Sequence, residues 1–103
     1  DKESDMRIYN VIWKNRFAEK IVVKHNITID EFEDVLFSKP HIYMSEKGRI
    51  SGENLYVAYG QTKSGRDLII FFILKHKSNA LPISARDMTS SERRYYNEQK
   101  ETN

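Results

Sequence analysis

The sequence has no cysteine, only two prolines and four glycines, and no apolar run long enough to cross a membrane. Without cysteine, a disulfide framework, a thiolate metal site and a cysteine nucleophile are all excluded. The longest apolar run, residues 68–74, has the length of a strand. No signal-peptide pattern is present, so we expect a cytoplasmic protein that does not associate with membranes.

The composition is that of one small folded domain. The chain has 103 residues, of which 39% are hydrophobic and 31% charged, a balance that argues against disorder along most of its length. A chain of this size has room for a single modest core. We expect one domain over residues 6–101, with flexible termini at 1–5 and 102–103.

The net charge of +2 conceals an uneven distribution of charge. Residues 14–25 carry four basic side chains against Glu19 alone, and residues 41–80 carry six lysines or arginines against three acids. An acidic block lies between them, formed by Asp30, Glu31, Glu33 and Asp34. This pattern predicts separate basic and acidic faces, although each single charge is equally explained as a solvated surface residue.

The first half of the chain predicts one strand and two helices. Residues 6–13 alternate loosely, as in a strand, and residues 14–25 change to a helical period. Asn26 is suited to the left-handed conformation that ends a helix. Thr28 and Glu31 have the spacing of a capping box, which predicts the start of a second helix.

The second half predicts four strands and a final helix. The strands are expected at 42–44, 55–60, 68–74 and 81–85, with a polar loop at 46–52 and turns at 63–66 and 77–79. The apolar strand 68–74 is expected at the sheet centre, and Pro82 at an edge or a strand start. Thr89 and Glu92 repeat the capping pattern and predict a helix over 90–100. The result is an α+β fold: a small antiparallel sheet with N-terminal helices and a C-terminal helix.

A motif near the C-terminus combines a strand ending in Ile-Ser-Ala-Arg at 83–86 with a capped helix that contains Glu92-Arg93 and Tyr95-Tyr96. Weaker features precede it in matching order: Trp13, Lys24-His25, residues 29–35, Gly60 and Gly65-Arg66. In this combination the chain resembles the BrnT family of bacterial toxins over roughly residues 9–96. It departs from the family pattern at Asn26, Asn54 and Pro82.

The resemblance implies a RelE-like sheet with flanking helices and an endoribonuclease activity. It also implies a type II toxin–antitoxin system in which a ribbon-helix-helix antitoxin neutralises the toxin. The expected partners are therefore RNA and the antitoxin, in a hetero-oligomer or as a homodimer. At Asn54 the family often has an arginine, and if that arginine contacts RNA in relatives, its replacement puts the activity in doubt.

Cleavage of RNA without a metal needs a base, an acid and a cation that stabilises the charged phosphorane. The sequence offers no zinc-like spacing of histidines, no paired carboxylates and no glycine-rich phosphate loop, so we expect no metal and no cofactor. The catalytic candidates are His25, Arg86, Glu92 and Tyr96, and His76 is a further candidate for proton transfer. The candidates for binding RNA phosphate are Lys24, Arg66 and Arg93.

Each candidate also has a structural explanation. His25 lies on the apolar side of its helix, and Arg86 ends a strand where ion pairs are common. Glu92 and Arg93 are explained equally well by capping and solvation of the last helix. Tyr95 and Tyr96 point about 100° apart, so only one of them packs well and the other is free to contact a base or a partner.

Two further interpretations remain open beside the nuclease. One is a non-catalytic module of the same fold that binds a protein or nucleic acid through its basic helix and its tyrosine-bearing last helix. The other is an assembly element whose last helix exchanges between copies.

Overall fold

The computed structural model describes residues 7–46 and 53–101. The strands are β1 (Asn10–Val11), β2 (His41–Glu46), β3 (Leu55–Gln61), β4 (Asp67–Lys75) and β5 (Asn79–Asp87), and the helices are α1 (Asn15–His25), α2 (Ile29–Phe37) and α3 (Ser90–Glu101). The α+β class and the order of the elements are as predicted. The expected loop at 46–52 lies outside the described residues except for Glu46, which belongs to β2.

The five strands form one sheet in the order β1-β5-β4-β3-β2. The strands β2 to β5 are antiparallel, as predicted, and the apolar β4 lies at the centre. The first strand was wrongly predicted in length, because it has only two residues, and it pairs parallel with β5. The sheet is therefore mixed rather than purely antiparallel. Pro82 lies inside β5 beside a register shift, not at the strand start.

The helix ends have the local chemistry that the sequence predicts. Asn26 has a φ of 53°, and its backbone N–H donates to carbonyls of the last turn of α1. The Thr28 hydroxyl accepts from the Glu31 N–H while the Glu31 carboxylate accepts from the Thr28 N–H. Thr89 and Glu92 repeat the same reciprocal pair at the start of α3. These caps set where α2 and α3 begin.

The two faces of the sheet are covered differently. Helices α1 and α2 pack on one face and enclose the larger core, which includes Ile21, Ile27, Phe32, Val35, Leu36, Ala58, Leu68, Ile70, Phe72, Ala80 and Ala85. The other face carries a smaller cluster against α3, formed by Val57, Tyr59, Ile69, Met88 and Tyr96. We refer to these as the two-helix face and the α3 face. No helix of the described ranges is long and apolar enough to cross a membrane.

Arg66 joins four elements at one end of the two-helix face. Its Nε–H and one Nη2–H donate to the Asp87 carboxylate at 2.8 and 3.1 Å, at the end of β5. Its other donors reach the carbonyls of His25 and Asn26, at the C-terminus of α1, and the Glu31 carboxylate in the first turn of α2. All five N–H groups of the guanidinium therefore have acceptors within the protein. We call this arrangement the Arg66 clasp.

The clasp predicts that Arg66→Ala lowers the free energy of unfolding by about 2–3 kcal/mol, because it leaves two carboxylates and two helix-end carbonyls without a charged donor. Arg66→Lys restores only a small part, since an ammonium cannot reproduce the planar fork. Chemical denaturation measures both variants. The matched control is Arg93→Ala, because the Arg93 guanidinium is half-exposed and lies 4.0 Å from Asp67. This variant should lower the free energy of unfolding by less than about 1 kcal/mol. Equal losses for Arg66→Ala and Arg93→Ala would contradict the clasp.

Candidate functional site

Helix α3 lies against one end of the sheet on the α3 face, where Tyr95 and Tyr96 contact residues of β2, β3 and β4. We call the sheet surface beside α3 the groove. The strand register places His41, Tyr59, Ile69 and Arg86 in one row across the sheet. The next row on the same face contains Tyr43, Val57, Phe71 and Ser84. We call this second row the floor. Within it Val57 is buried, whereas Tyr43, Phe71 and Ser84 are partly buried.

A bidentate ion pair links the end of β5 to the start of α3. Arg86 Nη1 and Nη2 donate to the two carboxylate oxygens of Glu92, both at 2.8 Å. Nη1 also donates to the carbonyl of Asp87. The Arg86 side chain is 39% exposed, so the pair is not sealed from solvent. Its Nε–H and one Nη2–H have no acceptor among the described residues, and they remain available for an anion in the groove.

Glu92 is a carboxylate with no proton to exchange near neutral pH. Its hydrogen bonds with Arg86, and then those at the Thr89 cap, lower the pKa of Glu92 to about 2. A group this acidic stays ionised and is a weak base at pH 7. Glu92 therefore orients Arg86 and caps α3, and its chemistry does not suit proton transfer.

An aromatic cluster lies at the opposite end of the groove, where α3 meets β2. His41 Nε2 and the Tyr95 hydroxyl share a hydrogen bond of 2.9 Å. The ring centroids of His41 and Tyr95 are 5.5 Å apart, and those of Tyr95 and Tyr59 are 5.2 Å apart, both in edge-on geometry. Tyr43 completes the cluster 6.2 Å from Tyr59. Burial lowers the pKa of His41 below 6.5, so the neutral imidazole predominates at pH 7.

Tyr59 lies between the two ends of the groove. Burial, followed by a hydrogen bond with Tyr43, raises the pKa of Tyr59 to about 12. The same phenol interacts electrostatically with Glu92 and Arg86. The guanidinium carbon of Arg86 lies 5.9 Å from the centroid of the Phe71 ring, so the side chain leans over β4 toward the centre of the groove. The cation and the imidazole therefore border one continuous surface.

The sheet separates the residues that the sequence grouped as one site. Arg86 pairs with Ile69 in the register and lies on the α3 face, whereas Asp87 pairs with Leu68 and lies on the two-helix face. His25 and Arg66 are on the Asp87 side, because Arg66 contacts both Asp87 and the backbone of His25. Arg86 and Glu92 are the two catalytic candidates that the structure brings together.

The remaining candidates lie outside the groove or are used elsewhere. Lys24 is exposed on α1, and Arg93 makes a long ion pair with Asp67. Tyr96 is the tyrosine that packs: it is 7% exposed in the small core, and Lys100 covers its ring. Tyr95 is the tyrosine that does not pack in this core, and its hydroxyl contacts His41 instead. His76 follows the far end of β4, about 20 Å along the strand from Ile69.

Sequence reasoning missed His41, Tyr43 and Tyr59 as site residues. One signal was available, because His41 and Tyr43 are two residues apart and such residues face the same side of a strand. The link between His41 and Tyr95 spans 54 residues, and no local pattern indicates it. Over the described ranges, no group of three or more histidine, aspartate or glutamate side chains is arranged to hold a metal ion.

Comparison with known proteins agrees with this architecture. A family model described as "Ribonuclease toxin, BrnT, of type II toxin-antitoxin system" matches residues 13–92. A search of the curated proteins gave no match. Among solved structures, the crystal structure of the Brucella abortus ribonuclease toxin BrnT is similar with a TM-score of 0.58 and 16% sequence identity, covering 79% of this chain and 97% of that one. At that identity the likeness shows a shared fold. Since the family model covers most of the sequence, the chain belongs to the BrnT family of ribonuclease toxins of type II toxin–antitoxin systems.

Proposed function

We propose that this protein is an endoribonuclease toxin that cleaves single-stranded RNA in the groove of the α3 face, without a metal ion. The observation that carries the proposal is the row that the strand register places across the α3 face, with the partly exposed Arg86 fork at one end and the His41 imidazole at the other. Cleavage by the adjacent 2′-hydroxyl needs these two groups most: a cation for the charged phosphorane and a base for the hydroxyl proton.

Arg86 is the proposed phosphate ligand. Glu92 holds two of its nitrogens and fixes the plane of the fork, while the Nε–H and an Nη2–H face away from that pair. Two roughly parallel N–H donors match two oxygens of a phosphodiester. Arg66, another arginine proposed from the sequence, has all its donors engaged in the clasp, so we assign it a structural role.

His41 is the proposed base, and Tyr95 is its positioning residue. His41 accepts the 2′-hydroxyl proton while the 2′-oxygen attacks phosphorus, and the 5′-oxygen of the next nucleotide leaves with a proton from solvent or from a phenol of the cluster. The products are a 2′,3′-cyclic phosphate and a free 5′-hydroxyl. In this role His41 Nε2–H donates to the Tyr95 hydroxyl at 2.9 Å, which leaves the Nδ1 lone pair free to accept the proton and restricts the rotation of the ring.

The antitoxin is the second expected partner. The family places the chain in a two-protein system, and we propose a ribbon-helix-helix antitoxin that binds the toxin in the cytoplasm, where its RNA substrate is found. The exposed α1 residues Val22 and Val23 form the apolar area that such a protein would meet.

A non-catalytic binding module of the same fold is the alternative. The observation in its favour is that Glu92 occupies two nitrogens of Arg86 and partly neutralises the cation. A binding module would hold RNA in the groove and release it uncut, so direct measurement of cleavage separates the two functions.

The first test is RNA cleavage by the purified protein in excess EDTA. Wild type should cleave a single-stranded substrate, and Arg86→Ala should reduce the single-turnover rate by about 10²–10³-fold, because the phosphorane loses its charged donor. Arg94→Ala is the matched control, because Arg94 is an exposed arginine of α3 and its substitution changes the net charge by the same amount. Undiminished cleavage by Arg86→Ala removes this residue from the mechanism, and loss of wild-type cleavage in EDTA refutes metal independence.

The second test is the dependence of the single-turnover rate on pH. A neutral histidine acts as the base, so the wild-type rate should fall as pH drops through the lowered pKa of His41, at a value below 6.5. His41→Gln should slow cleavage by about 10²–10⁴-fold and abolish this acid limb. His76→Gln removes a histidine on the distant turn and should leave the profile unchanged. An acid limb that survives in His41→Gln would show that another group is the base.

A further inference from the structure

The floor of the groove presents aromatic rings next to the arginine of the proposed site. Phe71 on β4 and Tyr43 on β2 are both partly buried, and buried Val57 separates them. Neighbouring strands are about 4.8 Å apart, so the two side chains emerge about 10 Å from each other. Two rings that far apart do not enclose one flat base, but each has room for its own.

We propose that Phe71 and Tyr43 form a stacking platform for two bases of single-stranded RNA beside the scissile phosphate. The inference rests on the proposed function and extends it, because it names the residues that hold the bases rather than the phosphate. Aromatic side chains bind bases of any sequence through their π-faces, so the platform needs no hydrogen bonds to the base edges.

The position of Arg86 relative to Phe71 supports the platform. The guanidinium carbon lies 5.9 Å from the ring centroid, and the fork turns two donors away from Glu92. In a nucleotide the phosphate is one sugar away from the base. The guanidinium lies over part of the Phe71 ring, so a base that stacks on the rest of the ring has its own phosphate close to the donors of Arg86.

The polar groups around the floor favour a nucleic acid over an apolar peptide. Tyr43 has a hydroxyl, Ser84 ends the row next to Arg86, and His41 lies one row away on β2. A peptide that covered this row with aliphatic side chains would bury a guanidinium and hydroxyl groups without supplying partners for them, which costs free energy. RNA supplies phosphate, ribose hydroxyls and base edges to the same groups.

The test is the affinity for a fluorescently labelled 2′-O-methyl oligoribonucleotide, which lacks the attacking hydroxyl and stays intact. Phe71→Leu and Tyr43→Leu should each weaken the Kd by about 5- to 150-fold, the loss expected for one stacked base. Phe37→Leu is the matched control, because Phe37 is an aromatic residue on α2 that is 53% exposed on the other side of the sheet. Phe71→Tyr keeps the ring and should bind as wild type does, which separates stacking from damage to the fold.

An oligonucleotide with abasic positions gives the decisive comparison. Wild type should bind it at least as weakly as Phe71→Leu binds the intact strand, and the double variant Phe71→Leu/Tyr43→Leu should lose little more. Equal affinity of wild type for the abasic and intact strands overturns the platform, whatever the cleavage assays show. If Phe71→Leu weakens antitoxin binding and leaves the RNA affinity unchanged, the floor is a protein interface and the proposal is wrong. If cleavage depends on Arg86 but removing the bases has no effect on affinity, the nuclease proposal stands and the platform is rejected. If removing the bases weakens binding but no RNA is cleaved, the platform stands and the nuclease proposal is rejected.

Discussion

The Arg66 clasp is the interaction on which the arrangement of the other elements depends. One guanidinium ties the C-terminus of α1, the first turn of α2 and the end of β5 to the start of β4. Holding Asp87 on the two-helix face has a direct consequence for its neighbour, because successive side chains of a strand point to opposite faces. Arg86 is thereby directed to the α3 face. The contact between Arg66 and Asp87 on the two-helix face therefore determines that the Arg86 side chain lies on the α3 face.

Unequal cover of the sheet explains where the groove lies. Two helices enclose the larger core, which buries more apolar side chains than the cluster on the other face. The single helix on the other face packs through Tyr96 against the cluster that includes Met88, and it is fixed at its start by the Arg86–Glu92 pair. One helix is too narrow to cover a five-stranded sheet, since a helix is about 10 Å wide and each strand adds about 4.8 Å. The remaining surface is the groove with its aromatic floor.

Polar contacts, rather than a large apolar area, hold α3 over the site. The Glu92 carboxylate serves the helix cap and the Arg86 fork together, and the Tyr95 hydroxyl meets His41 at the other end. The same contacts that seat the helix also orient the two groups proposed to act on RNA. Stability and function are therefore coupled in this helix, and substitutions in it are expected to affect both.

Local chemistry was enough to predict much of the fold. The capping boxes at Thr28 and Thr89, the left-handed Asn26 and the apolar run of β4 depend on neighbours within a few residues, so the sequence specifies them directly. The sequence also predicted that only one of Tyr95 and Tyr96 packs in the core, but it did not indicate which one. The parallel pairing of β1, the engagement of Arg66 and the contact of His41 with Tyr95 join residues far apart in the chain. Such contacts arise when strands and helices pack, because packing decides which side of the sheet each side chain shares with a distant partner.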